Sequence, residues 1–575
     1  MSANKNKSDI KLARRSLLSA VVIMAAAGYT GVSNAADEGF FEGWEAHGYL
    51  RQYISINLEN PYLGDPNTFG SDPDPARFTS TKRKGNYRYD FSMLRTVGKL
   101  DLFKDLGSSQ LFISGRASRE YETNYLKDLQ EVMDDHVRLY SNRSKSSVDL
   151  MDDVYNQVEL REMWWQTDIR PTTTLKLGKQ QVVWGETDFF QSLDVVHGYD
   201  FRWRSFLEGE NEELRKGLWM VNFMERFDSV DGQLQLIYIP GRVNRAVDQT
   251  TSYDLEGGRW ANNPNKGITF DTAVFGADVP YAYNHKSGTL DDDDFGIRWS
   301  GLAGDWGYSL AWFQGNSRAA VINPNPGRNG DGANGDKFLG AYKGEFSSNP
   351  FNATGLPGAD GQIAGELIFP RINVFGVTAN RYIEGIDSVF STELSYIPDS
   401  PYNVGVAAGE AGGCGFFPGF CGIKEKDVVK TMFRLDKQVN LQSLIRTSRP
   451  SFLSVQLFDT WITDYKKSDG LVNVAGFSGP AKEHTTLLTG ILAMNYANDR
   501  INPTLALGGD LTHGGGFVIP SVEYVLGDHW RFKAEADIFF EKKKQDKPLI
   551  DFNNTNTFGY FAGNDQLALR ITYQF

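Results

Sequence analysis

The sequence predicts an all-β fold, a transmembrane up-and-down antiparallel β-barrel of about 18 strands, with 14 or 16 as the alternatives and with long extracellular loops that include a short helix. Three observations predict it. Segments along the whole chain alternate apolar and polar residues, as strands with one greasy and one wet face do. The connections between those segments alternate between long and short. After the N-terminal region no stretch is long and apolar enough to cross a bilayer as a helix, and hydropathy of this kind is blind to barrels because half of each strand is polar.

Residues 1–35 come first. Lys5, Lys7, Lys11, Arg14 and Arg15 precede the apolar run from Leu17 to Ala27, and Ser33-Asn34-Ala35 supplies small residues for cleavage, the order of a secretory signal. The run is too short for a membrane span. The expectation is a signal peptide that is removed, leaving 36–575 as the barrel. Residues 1–35 hold five basic side chains and one acidic one, so the formal net charge moves from −13 to about −17. That balance excludes nucleic acid as a partner, because phosphates demand Lys and Arg.

The strands follow in order. Trp44, Ala46, Gly48, Leu50, Ile54 and Ile56 share one parity against Glu45, His47, Arg51, Ser55 and Asn57. Later starts are read near 89, 110, 158, 174, 214, 233, 295, 306, 372, 388, 428, 451, 483, 502, 516, 530 and 566. In the strand from Trp530, the residues Arg531, Lys533, Glu535 and Asp537 occupy one face and need water, so they are expected to face the lumen. Trp530, Phe532, Ile538 and Phe540 suit lipid and its aromatic girdle. The last strand alternates to its end, with Arg570 lumen-facing and Leu567, Leu569, Ile571, Tyr573 and Phe575 outward, because it must pair with the first strand and remove the free edge. Phe575 resembles the C-terminal aromatic that the barrel-assembly machinery recognises in outer-membrane proteins.

The connections carry the parity argument. Odd-numbered ones, such as 59–88, 122–157, 185–213 and 240–294, are long, and even-numbered ones, such as RPTT and AGD, are short. An up-and-down barrel with both termini on one side puts all odd connections on the other, whereas a soluble sandwich gives no reason for the pattern. HGGG near 513 is an odd-numbered connection that is not long. Within 122–157, Leu126, Leu129, Val132, Met133, Val137 and Tyr140 recur at helical spacing, an amphipathic helix that either lids the mouth or rests on the loops. The loop 399–427 holds Cys414 and Cys421, expected to form a local disulfide in an oxidising compartment; a metal site would need a second ligand pair. DDDD at 291–294 reads as a solvated charge run, with calcium or lipopolysaccharide-bridging cations as the alternative. The seven histidines show no ligand spacing and no phosphate loop is present, so the chain is not expected to be an enzyme or to need a cofactor or metal.

The stretch GKQQVVWGETDFFQSLDVVHGYDFRWRSFLEGENEELRKGLWMV, residues 178–221, leaves one strand and returns to the next through a loop dense in aromatics and charges. In Gly178, Lys179, Gln180, Val182, Trp184, Gly185, Glu186, Leu193-Asp194-Val195-Val196, Asp200, Arg202 and Leu218-Trp219-Met220, the sequence resembles the proteobacterial outer-membrane family catalogued as domain of unknown function 1302. The family pattern carries Asn-Pro after the paired valines, where this chain has His197-Gly198. The resemblance implies a Gram-negative outer-membrane barrel, surrounded by lipid and lipopolysaccharide, often encoded beside a periplasmic partner family and an exporter of the resistance-nodulation-division type. It also implies transport of poorly soluble compounds such as steroids, aromatics or lipids.

Read physically, the 185–213 loop is expected to fold into the lumen as a constriction. Glu186, Asp188, Asp194, Asp200, Arg202 and Arg204 would form facing acidic and basic rows, and Trp184, Phe189 and Phe190 a sliding surface for apolar solutes. The functional expectation is an outer-membrane channel for a small apolar or amphipathic solute. A cation-preferring porin and a barrel-anchored surface or assembly protein are the rival classes.

Overall fold

The structure, a computed structural model, describes residues 43–60, 85–140, 144–145, 149–187, 190–201, 204, 207, 211–244, 259–260, 292–319, 321–323, 366–404, 423–472, 481–541, 558, 561 and 563–575. The expected signal peptide, Cys414 and Cys421 lie outside the described residues, as do Asp188, Phe189 and Arg202.

The strands are β1 (Trp44–Asn57), β2 (Phe91–Asp105), β3 (Ser109–Glu120), β4 (Val158–Arg170), β5 (Thr173–Gln180), β6 (Leu218–Phe227), β7 (Gly232–Ile239), β8 (Asp294–Ala303), β9 (Trp306–Asn316), β10 (Val321–Asn323), β11 (Glu366–Ile368), β12 (Arg371–Ile383), β13 (Ser388–Val404), β14 (Ile423–Val439), β15 (Ser451–Ile462), β16 (Leu471–Val472), β17 (His484–Ala493), β18 (Ile501–Asp510), β19 (Gly516–Leu526), β20 (Trp530–Phe540) and β21 (Gln566–Gln574). β10 and β11 pair only with each other, and the two-residue β16 extends the wall beside β13. The other 18 form a closed ring in which each stave pairs antiparallel with the next in the chain.

Closure comes from β1 and β21, whose register runs from Tyr49↔Gln574 to Asn57↔Gln566. Beyond it Phe575 exchanges both backbone hydrogen bonds with Gly48, at 3.0 and 3.1 Å. The ring itself therefore has no free edge to template aggregation. Strands about 4.8 Å apart and tilted by about 40° put opposite backbones about 35 Å from each other, far wider than side chains alone can fill.

The two faces of the wall are inverted relative to a soluble protein. Leu310, Phe375, Leu394, Phe433, Leu507 and Ile538 are exposed on the outside, whereas Arg51, Arg95, Arg116, Glu120, Glu393 and Glu535 are buried on the inside. An apolar exterior around a charged interior is stable only if lipid covers the first and partners satisfy the second.

Two strand starts differ from the sequence-based expectation. The strand expected near 214 begins at Leu218, because Asn211–Leu214 turns as a helix inside the barrel. β14 begins at Ile423 and β13 reaches Val404, so the cysteine-bearing connection is 405–422 and not 399–427. The helix Asn124–Tyr140 sets Tyr125, Leu126 and Leu129 against Leu150, Val154 and Tyr155 of a π-helical turn and against Tyr87, the contacts of a helix resting on the loop cluster. The aspartates near 293 are not solvated. Asp293 accepts from Tyr238 Oη at 2.6 Å and Asp294 from Arg318 Nη2 at 2.7 Å, and both carboxylates are buried.

Candidate functional site

β5 and β6 are still paired at Gln180↔Leu218, where the chain between them leaves the wall and turns inward. What draws residues 181–217 in is a set of slots prepared in the wall. A Cβ at Gly296 of β8 would lie 2.5 Å from Cη2 of Trp184, and one at Gly376 of β12 would lie 2.1 Å from Cδ1 of Leu193. Both side chains are therefore seated where only glycine leaves room. Trp184 also meets Phe313 edge-on at 6.3 Å and donates its indole N–H to Gln235 Oε1 at 2.9 Å.

The segment is then tied to opposite walls. On one side Arg434 Nη1 of β14 donates to the Glu186 carbonyl at 2.7 Å and Asn380 Nδ2 of β12 to Glu186 Oε1 at 2.9 Å. Glu393 of β13 accepts from the backbone N–H of Glu186 and from that of Leu193, the latter at 3.0 Å. Across the ring, Arg116 of β3 donates to Glu213 Oε2 at 3.1 Å, and Arg161 of β4 donates to the carbonyls of Glu212 and Arg215 at 2.6 and 2.8 Å. β3 and β14 have equal numbers of staves between them in either direction, so these ties span the full bore. At right angles, Arg298 of β8 holds the Val183 carbonyl at 3.1 Å, and Arg204 pairs with Glu535 and, at 3.4 Å, with Asp537 of β20. A strap braced on four sides results.

Its own fold is held by His197. The Val182 N–H donates to Nε2 at 2.8 Å, so the proton sits on Nδ1, which faces the Lys216 carbonyl at 2.8 Å. Asp194 accepts from Tyr199 Oη and Arg215 Nη2, each at 2.5 Å. Burial, with Arg215 and Arg318 nearby, holds the imidazole pKa down at about 3. Burial alone would raise the Glu213 carboxyl, but Arg116 and Arg51 overcome it and hold the group at about 2.

The sign of the pH dependence follows. A released strap takes up a proton at His197 below the usual pKa near 6.5, and the docked one does not until about pH 3. Docking therefore weakens by roughly 1 kcal/mol per pH unit as pH falls from about 6.5. Glu213 adds a loss of the same sign only below its ordinary carboxylate range. Bilayer recordings should show more frequent openings at pH 5 than at pH 7, and His197→Asn should flatten that difference.

Inside the same bore lies an apolar cluster. Leu207 of the strap, Trp260, Phe558 and Phe561 of other connections, and Phe517 and Phe539 of the wall are buried together, and Phe190 packs against Phe558 and Phe458 at 6.1 and 5.7 Å. Toward the short turns a polar vestibule of about 590 Å³ opens, lined by Thr174, Met224, Arg226, Gln233, Ser300 and Leu302 among others.

Of the residues proposed from sequence, Trp184, Glu186, Phe190, Asp194 and Arg204 lie in this strap and make the contacts given. Asp200 is buried and its N–H donates to the Leu214 carbonyl at 2.8 Å. Among the described residues, acids and bases do not face each other in rows. Asp194 takes Arg215, and Arg204 takes carboxylates of the wall, because the segment runs across the bore and not around it. Glu535 and Asp537 face Arg204; Lys533 Nζ lies 2.5 Å from Glu535, and Arg570 Nη2 lies 3.9 Å from Glu523. Arg531 is at the short-turn rim, donating to the Gly527 carbonyl at 3.2 Å. Sequence reasoning missed Glu393, Arg116, Arg161, Arg434, His197 and Arg215. A lone Glu393 between Ser391 and Ser395 on an inward face was the available signal.

The sequence pattern of a family described as protein of unknown function, DUF1302, matches residues 16–575. No curated protein matches the chain in sequence. Among solved structures it is similar to the outer-membrane channel DcaP of Acinetobacter baumannii, at 10% identity and TM-score 0.36, covering 92% of this chain and 97% of that one. It is also similar to OpdK of Pseudomonas aeruginosa, solved with vanillate, at 9% identity and TM-score 0.39, covering 93% and 100%. A third is Salmonella typhi OmpF in complex with daunomycin, at 8% identity and TM-score 0.36, covering 92% and 97%. Scores this low carry nothing about what passes through this chain.

Proposed function

The chain belongs to the DUF1302 family of proteins of unknown function, and from that premise we propose that it is an outer-membrane channel whose 181–217 strap closes the bore to ions and whose solute is small and apolar or amphipathic, of steroid, aromatic or lipid size. The observation that carries the proposal is the apolar cluster. A barrel that passed only hydrated ions would have no use for Trp260, Phe517, Phe539, Phe558 and Phe561 packed on the inside of its wall, where water is the alternative partner. A slot of aromatic side chains gives an apolar solute a surface to exchange for theirs, while the strap's ion pairs keep the aqueous path shut. The rival is a porin with a narrow aqueous path, for which the polar vestibule lined by Thr174, Gln233 and Ser300 is the supporting feature.

The purified barrel is placed in vesicles with a lipopolysaccharide outer leaflet, and N-phenyl-1-naphthylamine, an apolar dye, is added outside. Protein-dependent dye entry with little steady ionic current is the expected result. Steady current without dye entry supports the porin instead.

A further inference from the structure

The wall directly behind the apolar cluster has an interrupted ladder, and three features mark the place. The ladder between β19 and β20 runs to Val518↔Ile538 and resumes only at Ser521↔Glu535, with Ile519 and Pro520 unpaired to β20. Pro520 has no N–H to give, so one rung is missing in the middle of the strand, where proline is ordinarily excluded. Next, β18 and β19 are joined by residues 511–515 alone, a short connection on the side where the other connections are long. Finally, the strands flanking that connection carry Gly508, Gly509 and Gly516. A Cβ at Gly508 would lie 2.3 Å from Phe517 Cε1, so the wall gives up side-chain volume there for an inward aromatic.

On the inner side of the gap Phe517, Ile519 and Phe539 are buried in the cluster, and on the outer side Val522, Ile538 and Phe540 stand toward lipid. Only one layer of backbone separates the two apolar regions. The strap reaches this place as well, since Arg204 clasps Glu535 and Asp537, the β20 residues on the inner face beside the missing rung. Among the described contacts this clasp ties the strap to β20 by ion pairs, so release of the strap and loosening of the seam are coupled.

We propose that the solute leaves or enters the bore sideways, through the β19–β20 seam at Pro520, and so passes between the apolar cluster and the bilayer without crossing the aqueous vestibule. The proposal rests on the reading of the protein as a channel for an apolar solute. The step needs no chemistry, only the parting of a ladder already short of one hydrogen bond, and the apolar solute stays out of water along the way.

Two variants test it in the vesicles described above, with serum albumin sealed inside to capture dye that reaches the aqueous interior and with dye in the bilayer read by its own fluorescence. Pro520→Val supplies the missing donor on an outward, β-favouring side chain, and delivery of dye to the bilayer should slow about five-fold, the ordinary net worth of one hydrogen bond. Val518→Cys with Ile538→Cys, in a chain with Cys414→Ser and Cys421→Ser, joins two directly paired residues within disulfide reach. Oxidation should stop delivery to the bilayer and reduction of the same sample should restore it, so a folding defect cannot imitate the result. Wild-type delivery by the oxidised lock overturns the lateral route, and if dye then reaches the albumin the channel proposal stands without it. Absence of delivery to either compartment by the unmodified protein overturns both.

Discussion

Replacing residues 182–216 by Gly-Ser turns a closed barrel into one with steady ionic current. β5 and β6 are already hydrogen-bonded at Gln180↔Leu218, so the shortened chain ends as an ordinary hairpin and the ring keeps all its staves. The ties that disappear are those to Arg434, Glu393, Arg116, Arg161 and Arg298, which together cross the bore. Breaking a buried ion pair commonly costs 3–5 kcal/mol because the surviving charge is stranded in a dry site, at roughly that magnitude for each pair. Here water enters with the removal and solvates the survivors, so the barrel should still fold and still migrate as a compact species on unheated gels. Conductance is the measurement that decides. A bore that stays shut without the strap would mean that the connections carrying Arg259 and Trp260, or Phe558 and Phe561, are sufficient to seal it, and the strap would then be only a brace.

The ring was legible in the sequence because lipid imposes the same period on every stave. Wherever the outer face must be apolar and the inner wet, as in the Trp530–Phe540 strand, alternation fixes the element and both of its faces, and the length of the connections fixes the side. The strap was legible as a loop and as a crowd of charges, although Trp184, expected in a sliding surface for solutes, is buried in the wall at Gly296. The strap's partners were not. Glu393 and Arg434 are brought to Glu186 only by closure of the ring, across more than two hundred residues, and nothing local marks one inward Glu or Arg from another. The ends of elements shifted for similar reasons. Asn211–Leu214 is apolar and polar in a sequence a strand could use, but Arg116 holds Glu213 inside the bore and the chain turns there as a helix before joining β6 at Leu218. The aspartates at 293 and 294 were misread for the converse reason, since Arg318 and Tyr238, which bury them, come from parts of the chain that a local reading treats as unrelated.

Trp184→Ala should release the strap without removing it, and the wall offers an independent way to obtain the same result. The indole is 1% exposed, sits over Gly296, meets Phe313 edge-on and satisfies its only donor at Gln235. Truncating a buried aromatic of this kind costs about 3–5 kcal/mol. Since the barrel wall is held by its own ladders, that cost falls on docking of the strap and not on the fold, and it raises the released fraction by roughly 10²–10⁴. Gly296→Ala puts a methyl where Cη2 of Trp184 lies and leaves the strap's own sequence intact, so overpacking by about 1–3 kcal/mol should give a smaller shift in the same direction. Both variants should show brief openings in bilayer recordings, more of them in the first, and both should expose residues 181–217 to protease. If Trp184→Ala opens the channel and Gly296→Ala does not, the indole acts through something other than its seat in β8. If neither does, the strap is held by its polar ties alone, and the order of the anchors has to be reversed, with Glu393 and Arg204 placed before the tryptophan.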